Sequence, residues 1–328
     1  MRILYIYRSL KAGPSIRRVF EPIEKELKNR GFDVDSIYLL TERADFHSAY
    51  ININFVRKWL KTHKYDVIHI TGDVYYLLFV LRRYKTVVTV HDLGFYTNQP
   101  KSLHRTLRFL FWIYPLKFAN VVTFISEKTK IETRKLVNLK GTKWEVVPNP
   151  YDSSIYFEPK ILSKGSVQIL HVGTKPNKNL ERVIQALRGI KCVLTIIGKI
   201  DAINRALLAQ NNISFRNVDY ATDLQLQDEY KHCDIVSFPS LYEGFGLPII
   251  EAQAYGRPVV TSNISPMKEI AGDCAILVEP TSIDSIRDGF MRAIHEYDIV
   301  VSAGLKNVHK YNVTTISEQY IKIYKHQL

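Results

Sequence analysis

Two carboxylates, Glu243 and Glu251, flank the run Gly244-Phe245-Gly246-Leu247-Pro248. Gly244 and Gly246 lack a Cβ, so the backbone there can turn tightly and approach a ligand closely. Pro248 falls near the first turn of the helix that the following residues predict, where its missing N–H costs little. The N–H groups of a helix start form an anion site. Glu243 precedes the loop and Glu251 lies about one turn into the helix, so both carboxylates can face one bound molecule. A ligand offering a phosphate to the amides and hydroxyls to the acids suits this pattern, and a nucleotide sugar is such a ligand. On spacing alone, an ordinary turn followed by solvated helix carboxylates fits the same letters.

Three further sites could carry chemistry. In His171-Val172-Gly173-Thr174-Lys175-Pro176-Asn177-Lys178-Asn179-Leu180, Gly173 ends a strand and a helix begins near Asn179. Lys175 and Lys178 sit where a loop would present them to a phosphate, as mobile point charges; a solvated basic loop reads the same way. His91 ends the run Val88-Thr89-Val90 and would project from a strand's carboxyl end toward a sugar hydroxyl. A capping or core histidine is the competing reading there. His69 lies inside an apolar run and reads as structural. Gly13, in Lys11-Ala12-Gly13-Pro14-Ser15, permits close approach after the first strand, and Ser15 is a candidate helix cap.

The elements that must position these residues are short apolar, β-branched runs alternating with helical patterns. Six lie in the first half: Ile3 to Tyr7, Val34 to Leu40, Val67 to Thr71, Val87 to His91, Val121 to Ser126 and Trp144 to Pro148. Six lie in the second: Gln168 to Gly173, Val193 to Gly198, Ile213 to Val218, Ile235 to Pro239, Val259 to Ser262 and Ala275 to Val278. They lack strict alternation, as parallel strands covered on both faces do. Strands alternating with helices predict α/β architecture: two Rossmann-like doubly wound domains, facing each other across a cleft. The turn-rich segment from Asn149 to Gly165 predicts the boundary. The expected domains are residues 1–155, 156–308 and a C-terminal helical segment, 309–328, packing back on the first.

The 328 residues suit two domains of ~150 residues each. A hydrophobic content of 46% and a charged content of 23% fit a soluble globular protein. No run reaches the ~20 apolar residues of a membrane span. Met1 to Tyr7 is too short for a signal peptide and reads as a buried strand. Cys192, Cys233 and Cys274 show neither metal spacing nor a disulfide framework. A cytoplasmic location follows, with peripheral attachment to the inner membrane face as a further expectation. The net charge of +13 favours anionic partners: nucleic acid, anionic membrane or phosphorylated substrate. Leu103, Leu107, Phe111, Tyr114 and Phe118 recur at helical spacing among Lys101, His104, Arg105, Arg108 and Lys117. A helix of that kind fits an anionic membrane surface, but packing of its apolar face on its own sheet gives the same pattern and is the favoured reading. Phe55 to Lys64 is a second basic, aromatic stretch.

Over nearly its whole length, and most specifically from His232 to Pro280, the chain resembles the retaining family 4 glycosyltransferases of the GT-B fold. The resemblance lies in Tyr230-Lys231-His232-Cys233-Asp234-Ile235, the Glu243/Glu251 pair, Ala254-Tyr255-Gly256-Arg257-Pro258-Val259-Val260 and Pro266-Met267-Lys268-Glu269-Ile270-Ala271-Gly272. Gly173 with Lys178-Asn179 resembles the family's phosphate loop. His91-Asp92, Ser126 to Lys130 and Val147-Pro148-Asn149 match more loosely. The resemblance implies transfer of a sugar from a nucleotide-sugar donor to a glycan or lipid-linked acceptor in surface-polysaccharide or lipopolysaccharide synthesis, with no metal and no cofactor. It implies that Glu251 binds ribose hydroxyls, and that Glu243 with the amides of Phe245, Gly246 and Leu247 holds donor sugar and diphosphate. It assigns Lys178 to the diphosphate, His91 to the donor sugar and Glu269 to positioning the loop. It also implies a base site formed by backbone near Val218 to Tyr220 and Gly198-Lys199. The chain departs from the family in lacking an arginine before Lys178, where Lys175 is the nearby cation, and in having one glycine, Gly13, where relatives often have two. A nucleotide-sugar 2-epimerase of the same fold and a non-enzymatic basic binding protein are the alternatives; nucleic acid is not expected as a partner.

Overall fold

The computed structural model describes all residues except Pro14, Ala44, 94–102, 139–140 and Leu328, and omits the side chains of 103–105. The chain forms two units: Met1–Asp152 with Val313–Leu328, and Ser153–Asn312.

The first unit is built on a parallel sheet of β1 (Arg2–Tyr7), β2 (Asp33–Tyr38), β3 (Val67–Ile70), β4 (Thr86–Val90), β5 (Val121–Phe124) and β6 (Lys143–Val146), in the order β2-β1-β3-β4-β5-β6. The central strands are buried throughout, which is why their sequences read as unbroken apolar runs. Ile3 sits opposite Val34 on one side and Val67 on the other, fixing the register of β1 between β2 and β3. Helices cover the sheet and begin at side-chain caps. Asp45 accepts from the Ser48 N–H at 2.8 Å to start Phe46–Thr62, and Ser126 accepts from Thr129 N–H to start Glu127–Leu136.

A polar knot holds the helix Val313–Lys325 to this sheet. The Tyr324 hydroxyl meets the Tyr5 hydroxyl at 2.9 Å and His69 Nδ1 at 2.6 Å. His69 Nε2 meets Thr89 Oγ1 at 2.8 Å, and Thr89 meets Thr123 at 2.7 Å. All five side chains are fully buried. Mutual hydrogen bonding makes such burial tolerable. Burial holds His69 neutral, with its pKa lowered to about 3.

The 101–118 stretch differs from its sequence pattern. Lys101 and the side chains of Leu103, His104 and Arg105 lie outside the described residues. The rest is a short helix, Leu103–Arg108, a π turn, Phe109–Ile113, and a 3-10 segment, Tyr114–Phe118. The wider π turn adds a residue to the repeat, and Pro115 cannot donate to a continuing helix. The deeply buried side chains are therefore Trp112, Ile113, Pro115 and Leu116, while Leu107, Phe111, Tyr114 and Phe118 are half-buried.

The second unit repeats the architecture with β7 (Val167–Val172), β8 (Cys192–Ile197), β9 (Ser214–Val218), β10 (Ile235–Phe238), β11 (Val259–Ser262) and β12 (Ile276–Val278), all parallel, in the order β12-β11-β10-β7-β8-β9. From β7 the chain proceeds outward to β8 and β9, and from β10 it proceeds the other way. The switch point thus lies between β7 and β10, and ligands of doubly wound sheets bind beyond the carboxyl ends of strands at such a point.

Candidate active site

The two loops that leave β7 and β10 are laced together. After β7, Gly173 takes φ +98°, a conformation that side-chain-bearing residues rarely adopt. A Cβ there would stand 3.0 Å from Cγ of Lys178, so glycine also leaves room for the lysine stem. A single 3-10 turn, Pro176–Lys178, follows, and Asn179 in the left-handed region (φ 64°) redirects the chain into the helix Leu180–Ala186. The Asn179 amide donates to the carbonyls of Pro239 at 2.9 Å and Pro280 at 2.7 Å. The Asn177 amide donates to the Tyr242 carbonyl at 3.0 Å and to Glu243 Oε1 at 3.3 Å. The Leu241 N–H returns a bond to the Asn177 carbonyl at 2.8 Å.

This lacing sets the direction of Lys178. Its Nζ donates to Glu243 Oε1 at 2.7 Å and stands 4.6 Å from the centre of the Phe238 ring. The two charged side chains are 19% and 16% exposed, so solvent screens the pair only in part. Beneath the loop, His171 is buried and bonded to Ser237 Oγ at 3.2 Å. Burial first, and the Lys178 charge second, lower its pKa to about 3 and hold it neutral.

The helix Leu247–Tyr255 starts at Gly246, whose φ is +131° and whose missing Cβ leaves room for Ile249 Cδ1. No side chain caps it, so its first N–H groups have the character of an anion site. Phe245 is buried edge-on against Tyr311, with ring centres 6.0 Å apart, which pins the loop. Gly244 and Leu247 are half-buried beside it.

The residues that the sequence singled out are only partly brought together. Gly173, Lys178 and Glu243 meet. Glu251 is held by another partner: its Oε2 accepts from the Tyr230 hydroxyl at 2.8 Å. Lys175 is exposed, and its carbonyl accepts the Lys178 N–H at 2.8 Å. Glu269 is exposed on the helix Met267–Ala271 and among the described residues makes no hydrogen bond or ion pair. Asn177 and Asn179 lace the loop. At the base-site candidates, the Gly198 N–H donates to the Val218 carbonyl at 2.9 Å, and the Asn217 amide donates to the Gly198 carbonyl at 2.7 Å.

In the first unit, His91 follows β4. Its Nε2–H donates to the Thr71 carbonyl at 2.8 Å and its ring lies edge-on to Phe20. That bond fixes the tautomer, so Nδ1 carries the lone pair. Burial lowers its pKa, so the ring is a neutral imidazole at neutral pH. Gly13 is exposed with open space where a Cβ would go, and Ser15 is the first residue of its helix rather than the residue before it. Among the described residues no group of three His, Cys, Asp or Glu side chains gathers as a metal site.

Residues 153–305 match the model of glycosyl transferases group 1, and residues 17–155 match that of glycosyltransferase family 4. The two models together span residues 17–305, and the chain is a glycosyltransferase. It is similar to O-antigen chain mannosyltransferase B of Escherichia coli, with 25% identity over 303 residues, 81% of this chain and 76% of that protein. Its fold is similar to that of sucrose-phosphate synthase from Thermosynechococcus elongatus, with a TM-score of 0.81 at 19% identity over 99% of this chain and 98% of the other. It is also similar to an Anabaena protein crystallised with UDP and glucose, with a TM-score of 0.75 at 17% identity over 99% and 100% of the two chains. The two six-stranded doubly wound units are those of the GT-B architecture.

Proposed function

We propose that this glycosyltransferase moves a sugar, with retention, from a nucleotide-sugar donor to a glycan or lipid-linked acceptor of a bacterial surface polysaccharide. The observation that carries the donor reading is the Lys178–Glu243 pair, held at 2.7 Å by loops from both strands of the switch point, beside a helix start that no side chain caps. The acceptor class follows the O-antigen mannosyltransferase to which the chain is similar.

In this reading the bond between the anomeric carbon and the diphosphate oxygen breaks as the acceptor oxygen bonds to the same face of that carbon. The acceptor proton passes to the departing phosphate. Positive charge develops on the sugar ring and negative charge on the leaving group. Lys178 and the amides of Phe245, Gly246 and Leu247 would meet the negative charge, and preorganised donors of this kind contribute a few kcal/mol each. Glu243 would hold the donor sugar, and Glu251 the ribose. Lys175 would supplement Lys178 as a second charge, without the two-pronged geometry of an arginine. His91, neutral with Nδ1 unprotonated, would accept a hydrogen bond from a sugar hydroxyl. No metal is required in this scheme.

In the first unit, a cavity of ≈ 90 Å³ lies beyond the carboxyl ends of β1, β2 and β3, lined by Arg8, Arg43, Asp73, Tyr76, Arg108 and Trp112 among others. Guanidinium, carboxylate and aromatic groups together suit an acceptor sugar. No helix among the described residues is long and apolar enough to cross a membrane. Peripheral attachment rests on Arg57, Lys58 and Lys61, exposed on the helix that also carries exposed Phe46 and Tyr50. Co-sedimentation with phosphatidylglycerol vesicles at low salt tests it, and failure to pellet removes it.

The deciding experiment presents UDP-, GDP-, ADP- and CMP-sugars, with chelator present, to lipid-linked and soluble glycan acceptors. One donor is expected to give a product of unchanged anomeric configuration. Epimerisation of a donor without transfer to any acceptor would overturn the reading.

A further inference from the structure

Tyr230 lies in the last turn of the helix Asp223–His232, 1% exposed, with its ring stacked on that of Tyr255 at 5.6 Å between centres and 14° between planes. Its hydroxyl ends on Glu251 Oε2 at 2.8 Å. The backbone behind it is fixed as firmly as the ring. Arg257, 2% exposed, donates to the Tyr230 carbonyl at 3.1 Å and the Lys231 carbonyl at 2.7 Å. It also donates to the carbonyls of Glu158 at 2.8 Å and Tyr255 at 2.9 Å. One guanidinium thus closes the carbonyl ends of both helices that carry the stacked rings, where orphan carbonyls and the helix dipole favour a cation. The phenol has no second position to take up.

A glutamate carboxylate on its own has several rotamers to lose when it orders around a ligand. Tethering one oxygen to an immobile phenol removes part of that cost before binding. The phenol is also a permanent donor. Burial first, and then the Glu251 charge, raise its pKa well above the ordinary value of 10.

We propose that Tyr230 is a positioning residue for nucleotide recognition: its hydroxyl aims Glu251 at the ribose and so sets the preference for a ribonucleotide over its deoxy counterparts. The proposal rests on the reading of Glu251 as the ribose acid. It adds a specificity role for a tyrosine that would otherwise only tie two helices together.

Titration calorimetry separates these roles, using UDP and GDP each against its 2′-deoxy and 3′-deoxy forms. The chain as it stands is compared with Tyr230→Phe and Glu251→Gln, with melting curves as the check on folding. Phenylalanine keeps the stack, so Tyr230→Phe is expected to fold. The unaltered protein is expected to prefer the ribonucleotide by about tenfold, the value of one good hydrogen bond to a charged group. In Tyr230→Phe that preference is expected to shrink to about twofold through loss on the ribonucleotide alone, while kcat at saturating donor stays within about twofold and KM rises. A Tyr230→Phe protein that keeps the full preference overturns the proposal. So does one whose ribo and deoxy affinities fall equally with its melting temperature, because that marks a structural tie only. If the unaltered protein shows no preference, or Glu251→Gln keeps it, the assignment of Glu251 to the ribose fails first and the proposal with it.

Discussion

Lys178 spends its charge on Glu243 at 2.7 Å, and a diphosphate bound there as proposed would share that ammonium with a resident carboxylate. Replacing Lys178 with Ala is expected to lower kcat by about 100- to 1000-fold, the cost of one preorganised donor at a developing charge, with the fold intact. Steady-state kinetics beside circular dichroism check this, and an unaltered kcat would remove the diphosphate assignment. Glu243→Gln separates two consequences. Its neutral amide no longer competes for Lys178, so the nucleoside diphosphate alone is expected to bind about threefold more tightly, while turnover falls because the donor sugar loses its carboxylate. Calorimetry with the diphosphate and kinetics with the sugar nucleotide are the paired measurements; weaker binding in both would contradict the competition. The two acids were legible as chemistry, but their partners were not. Lys178 is far from Glu243 in sequence and Tyr230 is well before Glu251, and no spacing rule connects such pairs.

At the scale of elements, the strands could be read from letters because parallel strands buried on both faces leave apolar runs between turn residues. Gly173 was legible as a strand end, but its second duty, leaving space for the Lys178 stem, needed the fold of the loop. Gly173→Ala is expected to destabilise the second unit by about 1–2 kcal/mol, since φ +98° strains any Cβ-bearing residue and the methyl would press on the lysine. It should also weaken nucleotide binding; thermal melts with and without UDP measure both. A variant as stable as its parent would show that the loop relaxes freely. The 101–118 stretch packs on its own core, but a π turn and Pro115 shift which residues are buried, and neither has a signature in apolar periodicity. The Asn177 and Asn179 amides escaped notice because asparagine in a loop usually faces water. Only the adjacency of β7 and β10 tells where these amides go.

For the whole molecule, two buried neutral histidines, His69 and His171, set a pH limit. Both have their pKa lowered to about 3 by burial, whereas the unfolded chain protonates near the ordinary 6.5. The unfolded state therefore binds more protons as pH falls below about 6.5. Stability is complete above that value and declines toward pH 3, with each histidine costing about 2–3 kcal/mol by pH 4.5. The melting temperature is expected to drop between pH 6.5 and 4.5, and His69→Gln is expected to flatten that slope. An unchanged slope would point to carboxylates instead. The helix Val313–Lys325 completes the interior of a unit whose other strands all precede Asp152. Native closure of that interior requires a segment separated from the strands by the whole of Ser153–Asn312. The later unit is contiguous, whereas the earlier one needs both ends of its chain before its interior is complete.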